Sequence, residues 1–200
     1  MSATCPGPTR LVGCGILKKE VEYLIARKGW NLETHFLDSA LHNYFDRLYS
    51  QLDSALGEEE RSSHRVIVFY GACHPRIDDI LNRHHTLRTQ GQNCIVMLLG
   101  YERFMAELEK GAYFLLEEWA NTWQPMITQA FGANLAVVRE IFHSSHKYMV
   151  ALRTPCSGDF TAAAEAAARF VDLPLIWMDT DLSHLESVLA EAVARREAGQ

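Results

Sequence analysis

The residues best suited to chemistry in this chain are its five cysteines, Cys5, Cys14, Cys73, Cys94 and Cys156, and a few of its nine histidines. A thiolate is both a nucleophile and a soft metal ligand. Five is an odd number, and no two of these cysteines form a C-x-x-C pair, so neither a disulfide framework nor a zinc ribbon is indicated. In a reducing cytosol structural disulfides are uncommon. Three roles are then open: small buried hydrophobes, a single catalytic thiol, or ligands of a metal or cluster.

The surrounding elements decide where the thiols stand. Short β-like runs alternate with longer helical stretches, which is the rhythm of an α/β protein with a mostly parallel sheet. Strands are expected at Arg10–Gly13, Leu32–Leu37 and Arg65–Tyr70, weakly at Thr86–Arg88, and at Lys147–Arg153 and Pro174–Met178. Helices are expected over Leu17–Lys28, about Leu41–Leu56, Pro75–Asn82, Cys94–Lys110, Ala133–His143, Phe160–Phe170 and Ser183–Arg196. The aromatic-rich stretch Ala112–Ala130 is ambiguous, a strand running into a helix being one assignment that fits it. Ser183 and Glu186 have capping-box spacing. The expected fold is a single-domain, Rossmann-like three-layer sandwich of about six strands over residues 10–198, preceded by a flexible tail at 1–9.

On that map Cys14, Cys73, Cys94 and Cys156 each follow a strand, and only Cys5 falls in the tail. Ligands of open parallel sheets bind beyond the carboxyl ends of the strands, so these thiols converge on one edge. Loops there lead into helix N-termini, whose partial positive charge favours thiolate. His42 and His74 belong to the same expected edge, as ligands or proton donors. His84 and His85 precede the weak strand and belong to the opposite edge, while His143 and His146 flank a helix end, where imidazole often caps carbonyls. Asp78 and Asp79 suit a helix dipole, and Trp119 with Trp123 suits a core stripe. Gly13, Gly15 and Gly71 let the backbone approach something closely.

The order of Gly13-Cys14-Gly15-Ile16-Leu17, Leu41-His42-Asn43, Tyr70-Gly71-Ala72-Cys73, Asn93-Cys94-Ile95, Leu99-Gly100 and Gly111-Ala112-Tyr113-Phe114 with Trp119 resembles the DUF1638 family of bacteria and archaea. The resemblance singles out Cys14, Cys73 and Cys94 and leaves Cys156 outside its motifs. It implies His-Asp-Cys where this chain has Gln92-Asn93-Cys94, so a zinc site using that histidine is not expected here. It also implies an association with corrinoid-dependent methyltransferase systems.

Three thiolates from three strand ends, with Cys156 as a candidate fourth ligand, suit a [4Fe–4S] cluster with an open iron, or Zn2+ holding a substrate thiol. The leading expectation is a metal- or cluster-dependent enzyme of lyase or transferase type acting on a small molecule in sulfur or one-carbon metabolism. In it His42 and His74 move protons. The alternatives are a zinc-thiolate methyltransferase, or a non-enzymatic carrier of a metal, cluster or corrinoid serving a methyltransferase. Apolar residues make up 48% of the chain and the net charge is −6, which suits a sizeable core and argues against nucleic acid as partner. No apolar run reaches the roughly 20 residues of a membrane span, and the N-terminus does not read as a signal peptide. A cytoplasmic protein, in a homo-oligomer or alone, is the expectation.

Overall fold

The computed structural model describes residues 9–62 and 64–199. They form two compact units. One joins the residues up to Met97 with those from Leu185 onward, and the other is the continuous segment Leu98–His184. Cys5 and the expected tail lie outside the described residues, apart from Thr9, which opens the first strand.

The first unit is a parallel sheet in the order β2-β1-β3, built from β1 (Thr9–Cys14), β2 (Leu32–Leu37) and β3 (Val66–Phe69). All four residues of β3 are buried, as a β-branched and aromatic run covered on both faces must be. Parallel neighbours need crossover helices. A 3-10 turn at Gly15–Leu17 leads into α1 (Lys18–Lys28), which buries Val21 and Leu24 and stops at Gly29, held left-handed at φ 64°. After β2, Asp38 accepts a hydrogen bond from the Ala40 N–H (2.8 Å) and starts a 3-10 turn at Ser39–Asn43, followed by α2 (Phe45–Arg61). The charged stretch after Leu56 continues α2 for more than a turn, because Ala55, Leu56 and Glu59 still face inward. A third crossover, α3 (Ile77–Arg83), leads to the expected strand at Thr86–Arg88. That strand is reduced to a single parallel bridge between Val68 and Arg88.

The expected helix from Cys94 to Lys110 is two helices, α4 (Cys94–Leu99) and α5 (Tyr101–Leu108). Gly100 separates them at φ 82°, ψ 157°, a conformation no helix contains. The second unit carries the sheet β4-β5-β6, all parallel, from β4 (Ala112–Leu115), β5 (Tyr148–Arg153) and β6 (Leu175–Asp179). Helices α6 (Glu117–Phe131) and α7 (Leu135–Ser145) connect β4 to β5, and α8 (Thr161–Val171) connects β5 to β6. The aromatic stretch is thus a strand followed by a helix. Trp123 lies in the core with Trp119 packed against it, so this pair is core material.

The last helix, α9 (Ser183–Glu197), buries Leu185, Val188, Leu189 and Ala192. Its expected capping box does not form. Asp181 accepts the Ser183 N–H (2.9 Å), and Glu186 pairs with Lys28 (2.8 Å) and Arg27 (3.3 Å) instead. The fold is α/β, and among the described residues it has six strands, all paired in parallel, three to each sheet. Among the described residues no helix is long and apolar enough to cross a membrane.

Candidate functional site at the switch point of the first sheet

In the first sheet the chain steps from β1 to β2 on one side, then crosses to β3 on the other. This reversal is a topological switch point, where open α/β sheets bind ligands beyond the carboxyl ends of the strands. The second sheet, in the order β4-β5-β6, has no such reversal among the described residues. Cys14 is the last residue of β1 and pairs with Leu37 of β2, while Cys73 lies in the loop leaving β3. The two strands at the reversal therefore both lead to a cysteine.

Two close backbone approaches hold this edge together. A Cβ on Gly13 would meet the Phe69 Cβ at 2.9 Å, so β1 and β3 pack directly. A Cβ on Gly71 would run into the Gln92 carbonyl and the Asn93 Cα. At the same place the Ala72 N–H donates to the Gln92 carbonyl at 2.7 Å. These contacts set the Cys73 loop against the turn that precedes Cys94. Asn93 accepts the Val96 N–H with its side chain (2.9 Å), an N-cap that makes Cys94 the first residue of α4.

The three thiols share one electrostatic environment. Burial, then proximity to Cys14 and Cys73, pushes the Cys94 thiol well above its ordinary range, against hydrogen bonds from the backbone at Ile95 and Cys94 itself. Burial also pushes Cys73 up, opposed by the backbone at Gly71 and the cation of Arg88. The expectation that helix ends would favour thiolate is thereby corrected for these two cysteines. Desolvation outweighs the backbone dipoles and holds both thiols neutral. None of the four described cysteines is in a disulfide. Among the described residues no three His, Cys, Asp or Glu side chains are grouped so as to hold a metal ion.

Two groups at this edge escape a sequence reading. Tyr70 follows β3 and is 2% exposed, and its hydroxyl meets no hydrogen-bond partner among the described residues. Burial first, then Cys14, Cys73 and Asp38, raises its pKa beyond the ordinary phenol range. Arg88 donates to the carbonyls of Gly91 (2.9 Å) and Thr89 (3.4 Å), fixing the turn ahead of Cys94. The signal for Tyr70 was its place at the end of β3, three residues before Cys73. For Arg88 it was its place in the weak strand.

The histidines divide. His74 is buried, and its Nδ1 accepts the Arg76 N–H (3.0 Å). Its ring packs against Phe45 and Tyr49, with centroids 5.6 Å away in each case. It holds the turn entering α3. His42 lies in the 3-10 turn after β2, at the same sheet edge. His84 sits far from that edge, beside Asp53 (3.0 Å) and Glu60 (3.0 Å). His143 bonds the carbonyls of Val171 (3.0 Å) and Asp172 (2.9 Å), capping α8. Burial lowers the pKa of His146, which packs against Tyr113 and Phe142. Asp79 pairs with Arg76 (3.2 Å) at the start of α3, and Asp78 stands 3.8 Å from Arg88. Cys156 belongs to the second unit. It lies in the turn after β5, where its N–H donates to Thr154 Oγ1 (3.1 Å). Asp159 caps α8 by accepting the Thr161 N–H (3.0 Å).

No curated protein and no solved structure matches the chain. A family model described as "Protein of unknown function (DUF1638)" matches residues 36–189, a span that includes Cys73 and Cys94 and begins after Cys14.

Proposed function

The chain belongs to the DUF1638 family, whose description assigns no function, and from its own geometry we propose that it is a metal–thiolate protein in which Cys14, Cys73 and Cys94 hold a [4Fe–4S] cluster acting on a small substrate. The observation that carries this reading is the placement of three thiols at one switch point, near enough for Cys94 to respond to both of the others. A single Zn2+, at about 2.3 Å from each sulfur, would draw the sulfurs to within about 4 Å of one another. A cuboidal cluster is held by thiolates that stand farther apart, and thiolates are its ordinary ligands. The cation of Arg88 suits the net negative charge of a cluster bound by thiolates.

When bound, the cluster would present one iron without a protein thiolate as a Lewis acid for a substrate oxygen, nitrogen or sulfur. The protein's part is to keep the site dry, supply the three sulfurs and move a proton. In this reading His42 is the residue to move it, since His74 is engaged in holding its turn. That engagement favours a second reading. A carrier of the metal or cluster, serving a corrinoid-dependent methyltransferase in the cytoplasm, needs the ligands without an acid–base group. Zn2+ at the same thiols, activating a substrate thiol for methyl transfer, is the alternative metal.

Anaerobic purification with iron, sulfide and zinc analysis separates these readings. The expected result is a coloured protein with about four irons per chain. The colour and iron should be lost in Cys14→Ala, Cys73→Ala and Cys94→Ala and kept in Cys156→Ala. One zinc per chain and no colour supports the methyl-transfer alternative. A protein with neither metal, indifferent to all three substitutions, overturns both. His42→Ala should spare metal content throughout and abolish turnover only if the protein is an enzyme.

A further inference from the structure

Tyr70 places a polar atom where the surrounding packing gives it nothing to bond. The parallel register of β1 and β3 runs to Gly13 opposite Phe69, so the next residues in line are Cys14 and Tyr70. Alternation puts Tyr70 on the face of Val66 and Val68, and Cys14 on the face of Val12. All of these share one core, against which Cys14 packs. The phenol ring is therefore core material. Its hydroxyl lies within electrostatic reach of Cys14 and Cys73 and has no partner among the described residues. A buried hydroxyl left unbonded costs stability, and phenylalanine would fill the same space without that cost. A tyrosine here makes sense when something at the site accepts its proton.

We propose that Tyr70 is a positioning residue of the cysteine site, its hydroxyl donating a hydrogen bond to the metal–sulfur group that the three thiols hold. The inference rests on the reading of the site as a metal–thiolate centre. The bond would have the part of outer-shell partners in other metal sites, which orient ligands and tighten metal binding.

Tyr70→Phe tests it, because the proposal requires opposite effects in two forms of the protein. Challenge of the anaerobically purified protein with a chelator reads how tightly metal is held. The variant should give up its metal at about a tenfold lower chelator concentration than the parent. Thermal unfolding of the metal-stripped proteins reads the cost of the unbonded hydroxyl, and the stripped variant should unfold at a higher temperature than the stripped parent. A side chain that serves packing alone gives no such reversal of sign. Equal resistance to the chelator overturns this inference and leaves the metal–thiolate reading standing. A stripped variant that unfolds no later than the parent, or does not fold, shows that the hydroxyl already has a partner in the fold, which also overturns it. A parent that holds no metal overturns both.

Discussion

At Gly71 the backbone of one loop lies where a side chain would otherwise be, against Gln92 and Asn93. Neither obstacle is the end of a flexible side chain. Gly71→Ala should therefore cost about 2 kcal/mol, read as a lower urea midpoint at an unchanged m-value, and should lower metal content by moving Cys73 away from Cys94. Cys14, Cys73 and Cys156 were legible because they end or follow strands, and strand position is what apolar runs report best, whereas Cys94 opens a helix after a strand that is reduced to one bridge. Tyr70 was not. A tyrosine at the end of a hydrophobic run reads as core, and only the fold shows that its hydroxyl has no partner among the described residues. His74 was legible as a polar residue at the right edge. Its engagement by the Arg76 N–H depends on the turn at residues 74–76 and has no signature in spacing.

Among the elements, short polar side chains set the boundaries that hydrophobic periodicity blurs. Asn93 caps a helix of only six residues. Asn93→Ala should destabilise the protein by about 1 kcal/mol, while Asn93→Asp, which keeps the cap, should be nearly neutral; chemical denaturation of the two variants checks this. Where the sequence suggested one helix from Cys94, the structure has two, since the periodic pattern passes smoothly over Gly100 and does not report its backbone angles. The misread start of α9 has a similar origin. Asp181 lies two residues ahead of Ser183 and takes its N–H, and Glu186 has partners 158 residues away in sequence. Hydrogen bonds from the Ser183 side chain and backbone hold the Asp181 carboxyl below the usual range, and the Thr161 backbone, then its hydroxyl, does the same for Asp159. A depressed folded pKa stabilises the protein above the unfolded value, about 3.9 for Asp, and that contribution is lost as the pH falls through the folded value. The Asp159→Asn, Asp181→Asn double variant keeps both caps. It should be less stable than the parent near neutrality, where the parent's contribution is present, and should converge with it in acid, as measured by thermal unfolding across the pH range.

For the molecule as a whole, the α/β class and the count of six strands followed from the alternation of patterns, whereas the division into two units did not. No linker or shift of composition marks it, and the first unit joins segments at opposite ends of the chain. The link is α9, whose Leu189 is fully buried. Its Glu191 accepts from Gln90 (2.7 Å), and its Arg195 donates to the carbonyl of Arg88 (3.4 Å). A chain ending at His184 should therefore lose hydrogen-exchange protection in β1, β2 and β3 and keep it in β4, β5 and β6, although every candidate ligand of the first unit is still present. Equal protection in both sheets would contradict this. The same discontinuity bears on biosynthesis. Cys14, Cys73 and Cys94 leave the ribosome before the whole of the second unit, and α9 only after it. At ordinary elongation rates the intervening segment takes on the order of ten seconds to make. Through that interval the nascent chain carries three unsheltered thiols, open to oxidants and stray metal ions. A helix of the first unit is thus made only after the second unit, which separates it in time from three cysteines made before.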